Sequence, residues 1–219
     1  MSNRIRLMEE MNRIRHDILA MSVRVEEDLM KALEALKSGN VDLAREVKAG
    51  DAVVNALQLK IEDQAAILIA TQQPVARDLR ELVTLFKVTD NLERAGDHAV
   101  HLAKAAIKLS GWTSEVQVER LERMALAGRD MIRGAVAAYL DQDVVSAQRV
   151  AKMDDAIDSE HRILVEEVLG LMMGNPQLVK AATKIIQTSG YLERLGDHMT
   201  NICEAVIYMV EGRREELNE

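Results

Sequence analysis

The sequence predicts an all-α protein made of two repeated antiparallel three-helix bundles, six long helices in all, and three observations carry that prediction. Only 2% of the 219 residues are aromatic and two are proline, while Ala, Leu, Val, Ile and Met are abundant. That composition suits packed helices rather than a sandwich or barrel. Apolar residues recur at helical spacing along nearly the whole chain. Finally, Leu-Glu-Arg-X-Gly-Asp-His occurs twice, at 92–98 and again at 192–198.

With periodicity almost continuous, the breaks between segments define the elements. "KSGN" at 37–40 ends a first long helix and "TQQP" at 71–74 a second. "LSGWTS" at 109–114 ends the third and reads as the linker between halves, placing the repeats at 1–110 and 111–219. A weaker break, "DQD" at 141–143, separates the fourth helix from the fifth, which "MGNP" at 173–176 ends. The sixth runs to about Glu211, and the charged tail "GRREELNE" is expected to fray. Pro74 and Pro176 both fall at the start of the third helix of their half, where a missing N–H costs nothing. "GDAVVN" (50–55) also matches "MDDAID" (153–158), so the halves are one design used twice. Short connections make successive helices antiparallel neighbours, and helices of about 30 residues are roughly 45 Å long.

Charge and cysteine usage narrow the function classes. A formal charge of -8 argues against a nucleic-acid surface, which depends on clustered Lys and Arg. The lone Cys203 excludes an internal disulfide and thiolate metal motifs, and reads as a small buried side chain in the last helix. No stretch approaches a membrane span, and the N-terminus lacks a signal-peptide core, so a cytoplasmic protein is expected.

The repeated motif has a geometric reading. The third helix carries the apolar stripe Leu85, Val88, Leu92, Ala95, Ala99, Leu102, Ala106 and Leu109, and the sixth repeats it from Ile185 to Met209. At 100° per residue, Glu93 and Asp97 lie one turn apart on a flank of that stripe. Asp51 and Asn55 occupy the matching flank of the second helix, and counting outward from the "TQQP" turn brings them to the same heights. In the second half Asp154 and Asp158 reach the levels of Asp197 and Glu193. Each half is therefore expected to gather oxygen ligands in one groove: Asp51, Asn55, Glu93 and Asp97, then Asp154, Asp158, Glu193 and Asp197. All-oxygen sets suit Mg, Mn or Fe, and Zn only if His98 or His198 joins. The plainer alternative is a solvated helix face, with Arg94 and Arg194 neutralising the carboxylates.

Gly96 and Gly196 each cost about 1 kcal/mol inside a helix relative to Ala, which points to a close neighbour: a crossing helix or an ion. His161 reads as a satisfied near-core residue and His16 as surface. In the second half Asn201 replaces His101 and Gly190 replaces Asp90, so two metal sites would be unequal. Glu-x-x-His, Gly-rich phosphate loops, nucleophile elbows and HExxH are all missing, and the sequence does not read as an enzyme.

Through "GDAVVNALQLKIED", "QQPVARDLRELVTLFKVTDNLERAGDHAVHLA", "MDDAIDSEHRILVEEV" and "YLERLGDHMTNICEAV" the chain resembles the PhoU family of phosphate-signalling regulators. The resemblance implies paired three-helix bundles that bind metal ions through E(D)xxxD motifs, as multinuclear iron or zinc clusters in some members. These fall on Glu93 and Asp97, Glu193 and Asp197, Asp154 and Asp158, and Asp51 with Asn55, where an amide departs from the pattern. It further implies a negative regulator of the phosphate-starvation response. Such a regulator acts as an adaptor between the ATPase subunit of a phosphate ABC transporter and a sensor histidine kinase, and reaches the membrane only through those partners. An exposed long helical face points to a homodimer. A competing reading is a carboxylate-bridged iron storage or redox bundle. Within "QPVARDLREL", Asp78 and Arg80 either dock a partner or simply begin and solvate the third helix.

Overall fold

The computed structural model describes residues 3–109 and 115–217. Among them the chain is helical apart from short turns and the tail, as α1 (Asn3–Ser38), α2 (Val41–Gln72), α3 (Ala76–Lys108), α4 (Glu115–Asp141), α5 (Val144–Ala151), α6 (Asp154–Gly174) and α7 (Val179–Glu211), with a 3-10 turn at Pro176–Leu178. Most of the expected linker, residues 110–114, lies outside the described residues.

Each turn has a local cause. Asn40 ends the α1–α2 break by accepting bonds from the amides of Asp42 and Leu43 at 3.1 and 3.0 Å, satisfying donors that an uncapped helix start would orphan. α2 ends on Gln73 in the left-handed region, φ 47° and ψ 55°, and its N–H donates to the Ile69 carbonyl at 3.1 Å. Pro74 stands two residues before α3 rather than within it, because Val75 is the extended N-cap residue. The "DQD" break is sharp: Gln142 sits at φ 56°, and Asp143 caps α5 through the amides of Val145 and Ser146 at 3.0 and 3.1 Å.

The fifth helix expected from the sequence is two helices. The step falls at Lys152–Met153, where Met153 N–H donates to Val150 O at 2.9 Å and Ala156 N–H to Met153 O at 3.2 Å, both three residues back. It makes Asp154 and Asp155 the first turn of a new helix, an end that favours negative charge.

α1, α2 and α3 pack on one another, and α7 packs on α4, α5 and α6. α3 against α7 and α1 against α4 join the two groups. One continuous apolar core runs through both. The predicted α3 stripe is buried from Leu85 to Leu109, and so is the α7 stripe from Ile185 to Met209. In α2, Val47, Val54, Ile61, Ala65 and Leu68 are buried, while Leu57 is half-buried. Aliphatic side chains therefore supply nearly all the burial that stabilises the fold.

The segment "QPVARDLREL" is engaged within the chain. Glu81, 6% exposed, accepts from Arg15 of α1 at 2.7 Å and from the Gln142 side chain at 3.1 Å. Arg77 also donates to Gln142. Arg80 reaches the Met209 carbonyl near the end of α7 at 3.3 Å, and Arg4 approaches Asp78 at 3.7 Å. These residues clasp the first helix group to the second.

The tail does not fray over its described length. Gly212, at φ 74°, closes α7 with its N–H on Tyr208 O at 2.9 Å, a left-handed position that suits glycine. The chain then folds back, so that the Leu217 amide donates to Glu204 at 3.0 Å and the Leu217 side chain packs against the core.

Candidate metal-binding grooves

In the first groove α2 presents Asp51 and Asn55 while α3 presents Glu93 and Asp97, and all four are half-buried. Burial, then the charge of Asp97, pushes the Asp51 carboxyl above the ordinary range, while Lys104 and His101 pull it back. Glu93 is raised by burial and by Asp97, with Arg94 opposing. Mutual repulsion of this kind is what a gathered set of carboxylates shows when no cation neutralises it. Arg94 lies 3.7 Å from Glu93 and 3.6 Å from Asp97. At 54% side-chain exposure it is a weak, water-screened partner. The Asn55 side-chain oxygen is buried with no hydrogen-bond partner.

The second groove has the same plan and a different depth. Asp154 is buried, at 4% exposure, whereas Asp158 on the next turn of α6 is exposed. Burial, reinforced by Asp158 and Asp197, pushes the Asp154 carboxyl up to about 7. One of its oxygens, Oδ1, has no partner, and the other accepts a long bond of 3.4 Å from Thr200. Glu193 is raised by burial, Asp197 and Asp158, and Asp197 by burial and Asp158, with Arg194 opposing both.

Gly196 explains the difference in depth. A Cβ there would lie 2.0 Å from Asp154 Oδ1, so only glycine leaves space for the carboxylate against the α7 backbone. At the equivalent Gly96 a Cβ would meet a Val54 methyl at 3.3 Å. One glycine thus seats a ligand-type oxygen and the other serves helix packing. The close neighbour expected of both glycines is present in each half, a valine methyl in one and a carboxylate in the other.

The histidines gather elsewhere. His98 and His198 face each other across the α3–α7 seam with ring centroids 5.4 Å apart, and Tyr191 stacks on His101 at 4.4 Å. His198 Nδ1 is 2.9 Å from the Asn91 side-chain oxygen. Burial, then the facing His198, pushes the His98 imidazole down to about 4, which keeps it neutral at pH 7. His161 contacts Ser189 Oγ at 2.9 Å, the satisfied near-core role expected of it, and His16 is exposed. Cys203 is fully buried, its thiol pushed up to about 12, and so is inert.

Sequence reasoning missed an ion pair on α1 between a half-buried arginine and a buried aspartate. Arg24 and Asp28 bond at 2.8 Å on α1, and a Cβ at Gly50 would lie 2.0 Å from the Arg24 guanidinium. Their i, i+4 spacing was a legible signal; its burial was not.

As the side chains lie, no three His, Cys, Asp or Glu among the described residues stand close enough to hold an ion. The donor chemistry nonetheless fits a hard cation: each groove has a buried oxygen without a partner and carboxylates that repel one another. Asp51, Asn55, Glu93 and Asp97 would hold it in one groove, and Asp154, Asp158, Glu193 and Asp197 in the other. A bound cation would supply the missing neutralisation.

The comparison that decides family membership covers both groups of helices. The PhoU domain family matches residues 18–106 and 121–206. The chain belongs to the PhoU family. A Clostridium acetobutylicum protein, a phosphate-specific transport system accessory protein PhoU homolog, is 33% identical over 211 residues, covering 96% of each chain. The accessory protein PhoU of Edwardsiella tarda is 29% identical over 204 residues, 93% of this chain and 84% of the relative. The crystal structure of PhoU from Pseudomonas aeruginosa superposes with a TM-score of 0.89 at 32% identity, covering 94% of this chain and 99% of that one. The phosphate transport system regulatory protein PhoU from Streptococcus pneumoniae gives 0.89 at 29% identity, over 99% and 100%. The PhoU fold of paired helical bundles is therefore the fold of this chain.

Proposed function

We propose that this PhoU-family chain is a cytoplasmic, non-catalytic negative regulator of phosphate uptake and of the phosphate-starvation response. The observation that carries this reading is the 33% identity, across 96% of both chains, to a phosphate-specific transport system accessory protein. The chain acts as a helical adaptor, a homodimer that links the ATPase subunit of a phosphate ABC transporter to a sensor histidine kinase. No helix among the described residues is long and apolar enough to cross a membrane, which accords with a membrane association made through protein partners.

Divalent or ferric ions in the two carboxylate grooves stabilise the docking surface. The second groove is the stronger site, because it offers three acidic residues besides the buried Asp154, whereas the first has an amide at Asn55. Ion binding there relieves repulsion that the folded chain otherwise carries.

Deletion of the gene tests the regulatory role. A phosphate-controlled reporter in phosphate-replete medium should be derepressed in the deletion strain and silenced again by the wild-type gene. A reporter that stays silent in the deletion strain contradicts the proposal.

A further inference from the structure

The α3–α7 face next to the tail carries a groove. A cavity of about 420 Å³ opens there between Val83, Thr84 and Lys87 of α3 and Glu204, Ala205 and Tyr208 of α7, with the tail along one edge. Val83 is 48% exposed, an apolar side chain that nothing covers. Thr84 is 3% exposed and its hydroxyl has no hydrogen-bond partner, a state that natural proteins rarely leave uncompensated. The groove therefore offers an exposed apolar wall, with the unpaired Thr84 hydroxyl buried behind it.

The tail shows what kind of segment this surface accepts. Glu204 takes the Leu217 backbone amide at 3.0 Å and holds Lys87 at 3.5 Å with its other oxygen. The Arg214 guanidinium lies 5.7 Å from the centre of the Tyr208 ring, within reach of a cation–π contact. Three residues later the Leu217 side chain packs on the core edge. Residues 213–217 are not helical, so the bound form is an irregular segment read through one amide, one cation and one aliphatic side chain. These contacts are few and the Arg214 side is exposed, the pattern of a segment that opens locally without unfolding the rest.

We propose that the α3–α7 groove is a docking site for a non-helical partner segment carrying an arginine three residues before an aliphatic side chain, and that residues 213–217 occupy its edge in cis as a displaceable strap. The cavity beside the strap gives a partner more to contact than the strap itself does. Displacement uncovers Glu204 and Tyr208 beside the already exposed Val83. The proposal deepens the adaptor reading by naming a surface and the chemistry that fits it. It is tested on the isolated chain, so its failure would leave the gene-deletion result standing, and the converse also holds.

The test uses the full chain with the strap released by Arg214→Ala and Leu217→Asp, and a fluorescein-labelled peptide of residues 212–219 as probe. A tethered strap competes at a high effective concentration, so the released variant should bind the peptide about tenfold or more tightly than the unaltered chain. Adding Val83→Glu, at an exposed position, should abolish that binding, and replacing the peptide's leucine by serine should do the same. Equal binding to the unaltered and released chains, or none to either, overturns the proposal. An unaltered dimer that the released variant turns into a monomer assigns the strap to exchange between two copies, and overturns the cis arrangement.

Discussion

Gly196 and Asp154 are a matched pair: the carboxylate of one occupies the place where the other would carry a Cβ, 2.0 Å from Oδ1. Gly196→Ala must push Asp154 out of the groove or force α6 away from α7. Overpacking of this kind costs about 1–3 kcal/mol, more than the roughly 1 kcal/mol that Ala gains over Gly in a helix. Gly96→Ala, which meets a Val54 methyl at 3.3 Å, should change stability by less than about 1 kcal/mol. Urea denaturation of the two variants checks the contrast.

Asp154 also sets a pH dependence in metal-free protein. Its carboxyl is pushed up to about 7 in the folded chain against about 3.9 in an unfolded one. Between those values the folded state holds the extra proton, so this group's contribution is fully present below about pH 4 and is lost as pH rises to about 7. The depressed histidines His98, His101, His161 and His198 work in the opposite sense over part of that window, since the unfolded chain protonates them first. The difference between wild type and Asp154→Asn isolates the carboxylate. Asp154→Asn should be the more stable by roughly 2–4 kcal/mol at pH 7.5, with the gap closing toward pH 4, as read by urea midpoints across the range.

The clasp between the two helix groups gives a third expectation. Glu81 is buried and accepts from both Arg15 and Gln142, so Glu81→Ala strands a partly exposed guanidinium and frees the Gln142 turn. Removing one partner of a buried pair costs about 3–5 kcal/mol, and the 23% exposure of Arg15 brings this nearer about 2 kcal/mol. Denaturant unfolding measures it. Arg77→Ala, an exposed partner of Gln142, should cost less than about 1 kcal/mol.

The helices and their buried faces were legible because periodicity and cap residues act locally: every residue of the predicted α3 and α7 stripes is buried, and Asn40 and Asp143 cap as their residue types favour. Counting from the turns was enough to bring Asp51 within electrostatic reach of Asp97 and Glu93. Three features escaped because they depend on distant contacts. The step at Lys152–Met153 has no Gly or Pro to mark it, only the acidic pair that follows. The tail reads as solvated charge until Glu204 and Tyr208 are folded beneath it. The unequal depth of Asp51 and Asp154 follows from what faces each LER-GDH glycine, a valine methyl in one half and a carboxylate in the other.

Cation binding in the two carboxylate grooves, tighter in the second, is what we propose for this chain. Titration of metal-free protein with Mn²⁺ or Fe²⁺ at pH 7.5, without oxygen, measures it directly when wild type is compared with Asp154→Ala/Glu193→Ala and with Asp51→Ala/Glu93→Ala. The tighter binding event should vanish in the second-groove variant, its affinity falling about 100-fold or more, and survive in the first-groove variant. No binding to wild type, or equal loss in both variants, would contradict the account.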